Sequence, residues 1–126
     1  MRAVDANVLV RLLTRDQSKQ VASAESFVAK GAWVSLLALA ETTWVLSAVY
    51  ERRPEDIAAA IDMLLSHQHL TLQDPDVVSA ALAHFRKKPA LSLSDCLLLE
   101  MARKAGHLPL GTFDRDLGKL PDAERL

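Results

Sequence analysis

Four short apolar runs, each followed by a stretch of helical spacing, constrain this chain more than any other feature. The runs are Arg2-Ala3-Val4-Asp5, Trp33-Val34-Ser35, His69 to Leu72 and Leu108 to Thr112. Each is long enough for a buried strand and too short for a helix. Between them lie segments with apolar residues three and four apart: Asn7 to Thr14, Gln17 to Ala29, Leu36 to Tyr50, Pro54 to Ser66, Asp74 to Lys87 and Ser92 to Ala105. Pro54 at the head of one and Gly106 just past the end of another are ordinary helix punctuation. A short helix is expected from Asp114. Strands that alternate with helices pair in parallel, because each crossover returns the chain to the same edge. The predicted class is α/β with a parallel sheet. At 126 residues the chain suits one domain, residues 1–126, with enough interior for a core without staples.

Composition narrows the chemistry. Cys96 is the only cysteine, which rules out an internal disulfide and a cysteine-rich zinc site. In Asp95-Cys96-Leu97-Leu98-Leu99 it reads as a small core residue. No run of about 18 uncharged apolar residues is present, so no membrane span is expected. The first apolar run is interrupted by Asp5 and Asn7 and does not resemble a signal peptide. A cytoplasmic protein is the expectation. The net charge is −1. If four of the sixteen acids shared one site, the rest of the chain would carry 15 positive and 12 negative charges, a net of +3. That balance permits attraction of phosphate around an acidic centre.

Four acids stand at places where surface residues are not expected. Asp5 closes the first strand, and the carboxyl edge of an α/β sheet is where ligands bind. Its plain alternative is a helix N-cap. Glu41 has Leu37, Ala38, Trp44 and Val45 as its helical neighbours, which places a charge on an apolar face. That is costly unless the charge is paired or holds a metal. Asp95 has Leu98, Leu99 and Ala102 on its side of a helix and is expected to face the core. Ser92-Leu93-Ser94-Asp95 also fits a capping box with Asp in place of Glu. Asp114 ends Leu110-Gly111-Thr112-Phe113-Asp114, again at a strand's carboxyl end, where it and Thr112 are also able to cap a helix. Carboxylates brought together repel unless a cation sits among them. Hard oxygen donors select Mg²⁺ or Mn²⁺ over zinc.

The ordered set Val4-Asp5-Ala6-Asn7-Val8-Leu9, Ala40-Glu41-Thr42, Leu93-Ser94-Asp95 and Thr112-Phe113-Asp114 resembles the four acidic motifs of PIN domains. The absence of any further domain resembles the VapC-type toxins of toxin–antitoxin pairs. The resemblance implies a parallel sheet of order 3-2-1-4-5, with a fifth strand near Asp122 to Leu126 that the sequence itself does not announce. It implies an endoribonuclease acting on single-stranded RNA with Mg²⁺, or Mn²⁺ in its place, at the acidic pocket. Asp5, Glu41, Asp95 and Asp114 would be the catalytic and metal-binding acids, with Asn7 and Thr112 in support. A homodimer and a cognate antitoxin are implied as partners. Gly111 departs from the apolar residue usual in that strand.

Other features read as structural. His67, His69, His84 and His107 are scattered. Arg11 and Arg15 share a helix face, which reads as solvated before it reads as RNA-binding. Arg86-Lys87-Lys88 falls at a helix C-terminus, where cations suit the dipole. No aromatic-rich stacking surface is apparent. Two rival readings remain: a non-catalytic binding module on the same fold, and a receiver domain. A receiver would show adjacent acids after its first strand, and here Asp5 stands alone.

Overall fold

The structure is a computed structural model describing residues 1–126. The chain falls into two compact units, Met1–Pro75 and Asp76–Leu126.

The first unit holds β1 (Arg2–Val4), α1 (Ala6–Thr14), α2 (Ser18–Val28), β2 (Ala32–Val34), α3 (Leu36–Ala48), α4 (Pro54–Ser66) and β3 (Leu70–Leu72). Its strands form one parallel sheet of order β1-β2-β3, with Val4 opposite Val34 and Val34 opposite Leu72. Those three side chains are buried together with Leu9, Leu39, Ile61 and Leu64. At about 3.3 Å per residue, each three-residue strand spans only about 10 Å. Much of the unit's order therefore rests on its helices and on how they start. Asp5 caps α1 by accepting from the Val8 amide at 3.1 Å. Ser35 caps α3 by accepting from the Ala38 amide. Gln73 reaches over from the end of β3 to accept from the Leu36 amide at 2.9 Å. Orphan donors of the helix starts are thus satisfied along the carboxyl edge of the sheet.

The second unit contains most of α5 (Pro75–Lys87), then α6 (Leu93–Ala105), β4 (Leu110–Thr112), a single 3₁₀ turn (Leu117–Lys119) and β5 (Ala123–Arg125). Val78, Ala81, Leu82, Phe85, Cys96, Leu97 and Leu99 are buried. Gly106, with φ of 83°, ends α6 in the left-handed region that glycine adopts at least cost. β4 and β5 pair in parallel, Leu110 opposite Ala123 and Thr112 opposite Arg125.

Two expectations change here. The single sheet of order 3-2-1-4-5 is resolved into a three-stranded ladder and a separate two-stranded one, although the predicted neighbours within each ladder are found. Gly111 in the middle of β4 and Pro109 before it make this strand a poor ladder partner, since one lacks a side chain to pack and the other lacks an amide to donate. The helix expected from Asp114 shortens to the 3₁₀ turn. Its Gly118 lies so near β5 that an added Cβ would stand 2.7 Å from Cβ of Arg125, so the turn is fitted to the last strand.

Candidate active site

Within the first unit, Asp5, Asn7 and Glu41 line one cleft of about 310 Å³, together with Ala6, Trp44 and Val45. The end of β1, the start of α1 and the middle of α3 put them there. Asp5 follows the last residue of β1, Asn7 sits in the first turn of α1, and Glu41 is in the middle of α3, which packs on α1. The Asp5 carboxylate uses Oδ1 for the Val8 amide and makes no other side-chain hydrogen bond, and the Glu41 carboxylate makes none. Two carboxylates with uncommitted oxygens therefore open on the same space.

Glu41 does not lie on a buried face. It is exposed, with Leu37 at 70% and Trp44 at 66% exposure on the same side of α3. Helix α3 is apolar almost all round, so its sequence alone could not tell which face turns inward. The inward face is the one carrying Leu39, Thr42, Thr43 and Leu46.

In the second unit, Asp95 lies half-buried on the first turn of α6, at the margin of the core and not within it. Leu99 beside it is buried, while Leu98 is 53% exposed. The capping box forms by half: Ser92 Oγ accepts from the Asp95 amide at 3.1 Å, and the Asp95 carboxylate makes no return bond. Asp114 is more committed. Its Oδ1 accepts from the amides of Asp116 and Leu117, both at 2.8 Å, and its own amide donates to Thr112 Oγ1 at 2.9 Å. Asp114 and Thr112 thus shape the loop after β4, leaving Oδ2 of Asp114 uncommitted. Asp116 is exposed.

The donor set suits a hard divalent cation. Mg²⁺ is commonly held by one or two carboxylates while keeping several waters, and Asp5 and Glu41, with the Asn7 amide oxygen at the same cleft, supply that chemistry. No three or more His, Cys, Asp and Glu side chains are drawn together as a ready metal cage.

One acid escaped the sequence reading. Glu100 on α6 is only 7% exposed, with His84 Nε2 2.9 Å from Oε1 and Arg103 Nε 2.9 Å from Oε2. Arg103 also donates to Asp122 at 2.6 Å, just before β5. A carboxylate only accepts, so His84 must carry its proton on Nε2. This network ties α5 and α6 to the residue before β5, and both Glu100 oxygens are taken. Arg103 three residues after Glu100 is the one sequence signal that could have found it. Arg11 and Arg15 are also committed, to Asp16 and Tyr50 and to Glu25 respectively. Cys96 is fully buried, and burial pushes its thiol up to about 11, which suits an inert core residue. No helix is long and apolar enough to cross a membrane.

No curated protein and no solved structure matches the chain. The model of the PIN domain, a nuclease fold whose members commonly use divalent metal ions, matches residues 2–123 and runs through both units. With that match covering nearly all of its length, this chain belongs to the PIN domain family.

Proposed function

We propose that this protein is a Mg²⁺-dependent endoribonuclease that cleaves single-stranded RNA or RNA loops, with Mn²⁺ as a substitute, and that it is the toxin of a VapC-like toxin–antitoxin pair in the cytoplasm. The observation that carries this reading is the cleft shared by the uncommitted carboxylates of Asp5 and Glu41 in a chain of this family. In the proposal Asp5, Glu41, Asp95 and Asp114 bind the metal and serve the reaction, while Asn7 and Thr112 position groups around them. A divalent cation bound there acidifies a water and offsets charge on the phosphodiester. The residues bind, orient and space the reacting groups, and products with 5′-phosphate and 3′-hydroxyl ends are expected.

The partners follow the same reading. An antitoxin segment would lay an Arg across the carboxylates, which it matches bidentately. Leu37, Val49 and Met63, all exposed, supply apolar surface for a homodimer. A monomer by light scattering at micromolar concentration counts against the dimer, and undiminished growth on expression without the antitoxin counts against the toxin role.

The deciding experiment uses thermal melts and RNA cleavage with Mg²⁺, with Mn²⁺ and with EDTA. Asp5→Asn keeps the α1 cap, because Asn caps about as well as Asp. It should abolish cleavage, leave metal-free stability equal or higher by about 1 kcal/mol, and weaken the stabilisation by Mg²⁺. Equal Mg²⁺ shifts in both proteins would remove Asp5 from the metal site. Cleavage that survives EDTA would remove the metal. Absence of cleavage under every metal condition would leave a non-catalytic binding module.

A further inference from the structure

Trp44 lines the acidic cleft beside Asp5, Asn7 and Glu41 and is 66% exposed. A tryptophan is highly buried on average, and one left open to solvent at a polar cleft calls for a partner. It stands three residues after Glu41 on α3, so its indole and that carboxylate occupy adjoining positions on one helix face. Its indole makes no hydrogen bond and no ring contact within the protein.

We propose that Trp44 is the stacking platform for a nucleobase of the RNA next to the phosphate held at the acidic cleft, and that it thereby positions the substrate. This rests on the ribonuclease reading above. An aromatic face takes any base, at a gain comparable to a strong interface contact, and it needs no charge to do so. That matters here, because the cleft's own carboxylates, without a cation, repel the phosphate backbone. A neutral stacking contact adds affinity where a basic residue would be drawn into the carboxylates and neutralise them. The rival occupant is an apolar surface of a second copy. Seating one over this cleft would take the Asp5 and Glu41 carboxylates out of water without partners, which is strongly unfavourable. A base brings polar edges and leaves the cleft wet.

The test pairs Trp44→Ala and Trp44→Phe with the wild-type protein, on a single-stranded RNA oligonucleotide and on the same oligonucleotide with abasic positions flanking the cleavage site. Trp44→Ala should raise KM about ten- to a hundredfold with kcat little changed, and Trp44→Phe should restore most of the loss. On the abasic RNA the wild type and Trp44→Ala should converge. In EDTA, where no cleavage occurs, RNA should quench the fluorescence of the wild type but not that of Trp44→Phe, which retains Trp33 as its only tryptophan. Unchanged KM and unquenched fluorescence overturn the stacking role while leaving the nuclease standing. Quenching without cleavage by the wild type supports stacking and removes the nuclease. A wild-type dimer that Trp44→Ala converts to a monomer, with no quenching by RNA, overturns the proposal in favour of an interface between copies.

Discussion

Glu41 and Glu100 both sit in the middle of a helix among apolar residues, and the molecule treats them in opposite ways. On the outward face of α3, Glu41 is exposed, its carboxylate makes no hydrogen bond, and it opens on a cleft with Asp5. On the inward face of α6, Glu100 is buried and held by His84 and Arg103. The buried acid has spent its oxygens on holding elements together and has nothing to give a ligand. The exposed acid has kept its oxygens free, and chemistry requires that. Burial of a charge therefore marks architecture here, and an unpartnered charge at a cleft is one still able to take a ligand.

The largest effect that tests this contrast is on activity. Glu41→Gln should lower cleavage more than a hundredfold, because even the outer partners of metal ligands cost ten- to a hundredfold when removed. Its melting temperature without metal should stay level or rise. Glu100→Ala should do the reverse. It leaves His84 and Arg103 without their acceptor, and a loss of about 2 kcal/mol is expected, reduced from the full cost of a broken buried pair because both partners reach solvent. Cleavage measured well below the melt should persist. Denaturant melts and initial rates on the two variants check both halves. A Glu100→Ala protein that is stable and inactive would reverse the assignment.

The same contrast shows what could be read from the sequence. The six helices and the first four strands lie within a few residues of where periodicity puts them, because caps and breakers such as Ser35, Pro54 and Gly106 act locally. Asp5, Asn7 and Glu41 stood out in the sequence by their motif order, and the structure puts all three at one cleft. The face of α3 was not, because a helix apolar all round carries no periodic signal. Glu100 was not, because its burial depends on His84, sixteen residues earlier. β5 was not, because Ala123, Glu124 and Arg125 have no strand-like pattern and pair only once β4 is beside them. Trp44 was visible only as a neighbour of Glu41, and its exposure had to come from the structure.

A smaller effect separates the two acids of the second unit. Asp95 has an uncommitted carboxylate, whereas Asp114 holds two amides of the loop after β4. Both Asp95→Asn and Asp114→Ala should lose cleavage under the proposed function. Only Asp114→Ala should also lose stability, by about 1 kcal/mol, the usual cost of removing such a cap. Thermal melts in EDTA give the comparison directly. Equal stability in the two variants would show that the loop after β4 does not depend on Asp114.

The smallest expected effect concerns acids that are exposed and yet paired, a third case between Glu41 and Glu100. Asp16 accepts from the Thr14 hydroxyl, the Tyr50 hydroxyl and Arg11, each at 2.9 Å, and these donors, Thr14 foremost, hold its carboxyl below the usual range. Asp76 is likewise lowered by Lys104, whose Nζ lies 3.0 and 3.1 Å from its two oxygens. A carboxyl whose folded pKa is depressed stabilises the protein above its unfolded pKa, near 3.8. That stabilisation is lost as pH falls through the lower folded value. Asp16→Asn and Asp76→Asn should therefore each weaken the protein at neutral pH and flatten the acid limb of its stability. Salt should tell them apart. At about 1 M ionic strength the screening length is roughly 3 Å, so the exposed Asp76–Lys104 pair loses most of its effect. Two of the three donors to Asp16 are neutral hydroxyls, whose hydrogen bonds salt does not screen in this way. Urea melts of both variants near pH 7 and pH 3, at low and high salt, measure this. The Asp76→Asn difference should fade in salt while the Asp16→Asn difference remains. If both faded alike, charge alone would account for Asp16, and the hydroxyl bonds between the end of α1 and Tyr50 would contribute nothing measurable.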